Sequence, residues 1–240
     1  MRKLVRLLIV GTLLSVGQGA SAGPYEDGEA AYQRGDYATA LRLWRPLADR
    51  KDARAQARLG FMFQMGWGVA QDDEESVRWY RRAAEQGHAD AQFNLGFHYA
   101  NGRGIALNYI ESVRWLRRAA DQGHGEAQTN LALRYLNGEG IARDRNMAMD
   151  WFRKAAEQEY AGAMLRLGWQ YEKGEGFPQD FSRAYMWFNL AAALEANVYS
   201  RRMMVSERDG VAHKMTRAQI ERAQEMAGKC QQSKFKDCGW

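Results

Sequence analysis

The sequence predicts an all-α fold, built as an α/α solenoid of helix-turn-helix repeats. The first observation behind this is a period. Ala55-Gln56, Ala91-Gln92, Ala127-Gln128 and Ala163-Met164 recur every 36 residues, as do Leu59, Leu95, Leu131 and Leu167. Gly66, Gly102, Gly138 and Gly174 keep the same spacing, and so do Gly68, Gly104, Gly140 and Gly176. Trp79, Trp115, Trp151 and Trp187 follow it too, with the Ala pairs that begin at Ala83, Ala119, Ala155 and Ala191. Identities held in register over four units without an insertion mark a repeat array. The second observation is helical spacing within each unit, Ala91, Leu95 and Tyr99 lying at i, i+4 and i+8. The third is that no unit alternates apolar and polar residues as a strand would.

Taken in chain order, residues 1–22 come first. MRKLVR carries three positive charges and no acid, Leu7 to Val16 is apolar, and Ala20-Ser21-Ala22 closes the segment with small residues. This is the pattern of a secretory signal peptide cleaved after Ala22. The apolar run is shorter than the roughly 20 residues that span a bilayer, which disfavours a membrane anchor. No membrane association is expected after cleavage.

Residues 23–52 read as a degenerate first repeat that caps the array. Ala31 to Tyr37 contains a Gly turn between two helical stretches, and Trp44 with Leu47-Ala48 echoes the later Trp and Ala pair. Pro46 lies inside the second stretch, where a proline removes a hydrogen bond, so a bent or short helix is expected there. Residues 53–200 hold the four units of 36. In each, a first helix ends at a glycine that accepts a left-handed backbone, and a second helix follows. Residues 201–240 leave the period. Thr216 to Gln219 matches a capping box that opens a polar helix running to about Gly228, suited to the end of a solenoid. Cys230 and Cys238 then read as a disulfide in an oxidising compartment.

A helix pair is too thin to bury its own apolar face, so neighbouring units must share a core. Leu59, Leu95, Leu131, Leu167 and the four Trp residues Trp79, Trp115, Trp151 and Trp187 are its expected members.

The chain has 46% hydrophobic, 26% charged and 12% aromatic residues, which excludes a mainly disordered product. There are 34 basic and 29 acidic side chains; removing Arg2, Lys3 and Arg6 with the signal segment leaves 31 against 29. Balanced charge gives no argument for nucleic-acid binding.

The pattern A-x-x-x-L-G-x-x-Y-x-x-G-x-G followed by W-x-x-x-A-A-x-Q-G resembles the Sel1-like repeat, a relative of the tetratricopeptide repeat. The unit AQFNLGFHYANGRGIALNYIESVRWLRRAADQGHGE fits best. Ala132 replaces a Gly, Phe63 a Tyr, and Glu159-Tyr160 a Gly-His pair. The resemblance implies a right-handed solenoid whose first helices line a concave groove. It also implies a scaffold or adaptor role in an exported bacterial protein, periplasmic or secreted, that binds a protein partner.

Carrying that geometry onto this chain places Phe61, Phe97, Leu133 and Trp169 in the groove, with Phe93, Asn101 and Asn137 beside them. A ridge of large apolar groups there would mark a partner surface. The competing reading buries the same phase against the next repeat.

Chemistry is sparse. The Gly-x-Gly turns follow helices and lack the strand, Lys and Ser/Thr of a phosphate loop. His88 and His124 fall one period apart and read as repeat positions, and no HExxH or Cys/His cluster suggests a metal. Arg78, Arg81, Arg82, Arg114, Arg117 and Arg118 form a basic edge that nearby acids can balance. Ser233-Lys234-Phe235-Lys236 formally matches the Ser-x-x-Lys of penicillin-recognising enzymes, but Ser-Asp-Asn and Lys-Thr-Gly are absent. Some cysteine-rich relatives of the repeat are described as acting on β-lactams; they carry a Cys pair per repeat, whereas these repeats have none. The expectation is a non-catalytic protein with no cofactor and no metal. A β-lactam- or cell-wall-acting enzyme is the alternative, and carbohydrate binding at an open Trp67 or Trp169 is a third.

Overall fold

The computed structural model describes residues 23–174 and 178–239. Residues 1–22, where a signal peptide is expected, and Gly176 of the glycine series lie outside the described residues. Within them run twelve helices and no strand. The first two are α1 (Pro24–Gln33) and α2 (Tyr37–Asp49). The repeats supply α3 (Ala53–Met65), α4 (Asp73–Glu85), α5 (Ala89–Asn101), α6 (Tyr109–Asp121), α7 (Gly125–Asn137), α8 (Arg145–Ala156), α9 (Ala161–Lys173) and α10 (Phe181–Leu194). The last two are α11 (Val198–Ala212) and α12 (Arg217–Gln232).

Each helix is bounded by local chemistry. The second helices open on Asp72, Asn108, Asp144 and Asp180, whose side chains accept from the backbone N–H three residues on. The first helices of the repeats close on Gly66, Gly102, Gly138 and Gly174, all left-handed. The second glycine of the described turns has another task. A Cβ on Gly104 would sit 2.2 Å from the Asp73 carbonyl oxygen, and one on Gly140 2.2 Å from that of Tyr109. The turn of one repeat is thus pressed onto the start of the preceding second helix.

Within a repeat the two helices pack as a hairpin, and each second helix also meets the next first helix. The first helices touch directly, α3 with α5 and α7 with α9, while the second helices have no comparable contact. The first helices therefore form the inner, concave side. Leu59, Leu95, Leu131 and Leu167 are fully buried between the layers. Trp79, Trp115, Trp151 and Trp187 are buried from the other side. Cations lie over three of these indoles: Arg82 at 4.5 Å from the Trp79 ring, Arg118 at 4.6 Å from Trp115, Lys154 at 4.1 Å from Trp151. Polar groups also enter the core. Gln56, Gln92 and Gln128 are buried and donate to the carbonyls of Ala48, Ala84 and Ala120 at 2.9, 3.1 and 3.0 Å.

The shortening expected at Pro46 is corrected, and one helix lies where no element was expected. Helix α2 is not shortened by Pro46; it runs 13 residues, as long as the repeat helices α3 to α7. Pro46 and Arg42 are both exposed, so the carbonyl that loses its N–H partner lies where water can replace it. Helix α11 occupies a stretch to which the sequence reading assigned no element. Only Met204 and Val211 of it are buried, too few to draw an apolar stripe.

Helix α12 packs back on α10 and covers the end of the array. Its capping box is complete, Thr216 and Gln219 bonding reciprocally, and it continues four residues past Gly228. Cys230 and Cys238 are joined by a disulfide, and both are buried.

Candidate functional site

The concave side holds a cleft of about 330 Å³. Its walls come from α1 (Tyr25), α3 (Arg54, Ala57, Arg58, Phe61), α4 (Tyr80), α5 (Asp90, Phe93, Asn94) and α7 (Glu126), with His88 and His124 at the starts of α5 and α7. The repeat explains why they converge. Arg54, Asp90 and Glu126 are the second residues of successive first helices, and the histidines immediately precede α5 and α7.

Each histidine serves as the N-cap of its helix. Nδ1 of His88 accepts from the Ala91 N–H at 3.4 Å, and Nδ1 of His124 from the Ala127 N–H at 3.2 Å. That arrangement leaves the ring proton on Nε2. In His124 this nitrogen lies 3.3 Å from Oδ1 of Asp90, and the ring stacks on Phe93 with centroids 4.8 Å apart. The hydrogen bond from His124 holds the Asp90 carboxyl below the usual carboxylate range, while burial pushes His88 toward its neutral form.

The two guanidiniums of the cleft are already occupied. Arg58 forks onto both oxygens of Glu29 and lies over the rings of Tyr32 and Trp44. Arg54 pairs with Glu26 at 3.4 Å and Asp52 at 3.3 Å, and lies 4.1 Å from the Tyr25 centroid. Three carboxylates, Glu26, Glu29 and Asp52, thus pair with the two arginines, and the cleft adds two more, Asp90 and Glu126. The cleft is acidic although the chain is not.

Of the sequence-predicted groove residues, Phe61 and Phe93 line the cleft. Both are half-buried against the core, as are Leu133 and Trp169 further along the row. Phe97 is exposed and lies outside the cleft. Asn101 and Asn137 stand exposed at the ends of α5 and α7, where Asn101 donates to the Phe97 carbonyl and Asn137 to Glu139. The ridge is thus mostly a half-buried row rather than an open one. Trp169 carries Arg166 over its ring at 4.9 Å, and Trp67 stacks on Tyr37 at 5.0 Å, so neither presents a free pair of faces to a sugar. Ser233 Oγ donates to the Cys230 carbonyl and accepts from the Asp237 N–H, which ties it into the terminal turn. Among the described residues no group of three His, Cys, Asp or Glu side chains could hold a metal, and no helix is long and apolar enough to cross a membrane.

Sequence reasoning missed Tyr25, Arg54, Arg58, Asp90 and Glu126, and assigned the histidines to repeat phase only. The available signal was the chemistry at the second position of each first helix, charged in three units and glycine in the fourth.

Four copies of the Sel1 repeat match this chain, at residues 53–88, 89–124, 125–160 and 161–195. The protein belongs to the Sel1 repeat family. A Sel1 repeat protein from Oxalobacter formigenes is similar in structure, with a TM-score of 0.63, 34% identity, and 70% of each chain covered. A second similar structure is c5321, described as a protective antigen of uropathogenic Escherichia coli with the same repeat fold. It aligns at a TM-score of 0.53 and 26% identity over 90% of this chain and 54% of its own. A putative Sel1 repeat protein from Klebsiella pneumoniae, at 20% identity and a TM-score of 0.52, covers 79% of this chain and 91% of its own and speaks for the fold alone. No functionally curated protein matches. Sel1 repeats generally serve as protein-interaction scaffolds.

Proposed function

We propose that this protein is an exported repeat scaffold that captures a protein partner on its concave face and catalyses no reaction. The observation that carries the reading is the cleft itself, where α1 and three successive repeats bring half-buried Phe61 and Phe93 beside polar groups. Aromatic anchors with a polar surround are the composition of protein interfaces. Export is supported by the sequence of residues 1–22, by the Cys230–Cys238 disulfide, and by the likeness to an antigen of a pathogenic bacterium. Periplasm and extracellular space both accommodate it.

Crosslinking capture from the native envelope tests the reading. Phe61→Ala with Phe93→Ala should abolish recovery of the wild-type partner, while Arg114→Ala with Arg117→Ala on the second-helix edge should retain it. Circular dichroism melting of both double variants accompanies the assay. Unchanged capture by a folded Phe61/Phe93 variant, or loss confined to the arginine pair, would move the site to the convex side.

A further inference from the structure

The charges of the concave cleft define what part of a partner it accepts, an inference that rests on the concave-face reading above. Both guanidiniums in the cleft are neutralised within the protein, Arg58 by Glu29 and Arg54 by Glu26 and Asp52. The two remaining carboxylates are not. Asp90 is bonded to His124 through a ring whose Nδ1 is occupied as an acceptor, so in this tautomer the imidazole brings no compensating charge. The Asp90 side chain is 71% exposed, and no lysine or arginine lies within ion-pair distance of it or of Glu126 among the described residues. Glu126 lies near the Tyr160 hydroxyl, a neutral group that brings no charge. Phe61, Phe93 and Tyr25 stand beside these two anions.

An anionic pair next to aromatic faces is complementary to a cation with an apolar stem. We propose that the cleft takes the side chain of an arginine or lysine from an exposed segment of the protein partner. Its charge would lie at Asp90 and Glu126, and its methylenes against Phe61 and Phe93. The volume of about 330 Å³ lies at the small end of ligand pockets, suited to one or two side chains rather than to a cofactor. The site is also bounded along the groove. In the next repeat the first helix presents Arg166 over Trp169, with no carboxylate within ion-pair distance among the described residues. A second basic residue continuing along the groove would meet a like charge there, so the preference is for one basic position rather than for a basic tract.

Panning a phage-displayed library of random dodecapeptides against the purified protein tests this without a known partner. Arginine or lysine should be enriched several-fold at one position among retained peptides. A synthetic peptide from that set should bind about tenfold more weakly to Asp90→Asn with Glu126→Gln, and more weakly in raised salt. The two amides keep side-chain shape, and a melting curve verifies that the variant folds. Retained peptides with no basic enrichment, or with acidic enrichment, overturn the inference and leave the concave-face reading standing. Recovery of no peptide, or equal recovery by Phe61→Ala with Phe93→Ala, overturns both.

Discussion

The side-chain amide of Gln122 donates to Oε1 of Gln92 at 2.7 Å, thirty residues back along the chain, while the Gln92 amide donates to the Ala84 carbonyl. The same pair recurs as Gln86 to Gln56 and Gln158 to Gln128, at 2.7 and 2.8 Å. Each buried glutamine thereby joins the end of its own second helix to the end of the preceding one.

The first prediction concerns this bond. Gln92→Ala removes a buried group and one bond each from the Ala84 carbonyl, which keeps the Gly87 N–H, and from the Gln122 amide, which keeps the Arg118 carbonyl. It should cost about 1–3 kcal/mol in urea unfolding, the loss of two hydrogen bonds at about 0.5–1.5 kcal/mol each. Gln122→Ala, at an exposed position, should cost less than half as much. Equal costs would show that the ladder contributes nothing specific.

Glycine pairs give a second prediction. Gly102 and Gly104 both have left-handed backbones, but a Cβ on Gly102 would find its nearest main-chain atom, the Leu107 nitrogen, at 3.5 Å, whereas one on Gly104 would sit 2.2 Å from the Asp73 carbonyl oxygen. Gly102→Ala should cost about 1–2 kcal/mol for its backbone conformation. Gly104→Ala should exceed that by at least about 1 kcal/mol, because the Asp73 carbonyl cannot give way without moving α4. Chemical denaturation of the two variants side by side decides it.

For the core, Trp115→Ala should cost about 3–5 kcal/mol, as for a large aromatic removed from packed surroundings. Arg118 lies over the Trp115 ring while remaining exposed, so Arg118→Ala should cost about 0.5–1 kcal/mol. A near-zero value for Trp115→Ala would contradict the buried position of that ring.

Acid should weaken the fold. Burial lowers the proton affinity of both His88 and His98 from the ordinary value of 6.5. The unfolded chain therefore binds protons first as pH falls. The stability these residues contribute is complete above 6.5 and is lost as pH drops through their folded values. His98 donates from Nδ1 to the Arg103 carbonyl and its Nε2 is buried without a partner, so burial outweighs the Arg103 carbonyl and the Asp73 carboxylate, which favour the charged ring. The melting temperature should fall between pH 7.5 and pH 5.5, and His98→Gln should flatten that slope even if it lowers the melting point at pH 7.5. An unchanged slope would remove His98 from the account.

What was legible in the sequence was whatever the backbone repeats. The turns of Gly66, Gly102, Gly138 and Gly174 follow from a local conformational demand, and the Leu and Trp series follow from burial at a fixed phase. Both signals are carried by residue type and spacing alone. The cleft was only half legible. Phe61 and Phe93 came from the groove geometry that the Sel1 resemblance implies, but the neutralisation of Arg58 depends on Glu29, which a degenerate first repeat places with no periodic cue. His88 and His124 looked like repeat positions and are; their work as caps, and the bond from His124 to Asp90, appear only once ring orientation is known. Helix α11 escaped for the opposite reason, since a surface helix with two buried residues has almost no pattern to read.

The close fit of the described Gly-x-Gly turns on the preceding helix has a consequence for how such a chain can change length. Gly104 meets the main chain at Asp73 and Gly140 meets it at Tyr109, so the fit uses backbone atoms and ignores which side chains stand there. A gene that lost or duplicated one unit of 36 codons would reseal on the same backbone contact and the same glutamine ladder. A change of any other length would leave a turn facing the wrong stretch of helix. Copy number is therefore free to drift in the scaffold. The cleft is not interchangeable in this way, because Arg54, Asp90 and Glu126 are unlike residues at like positions, and removing a single unit would alter the charge it offers.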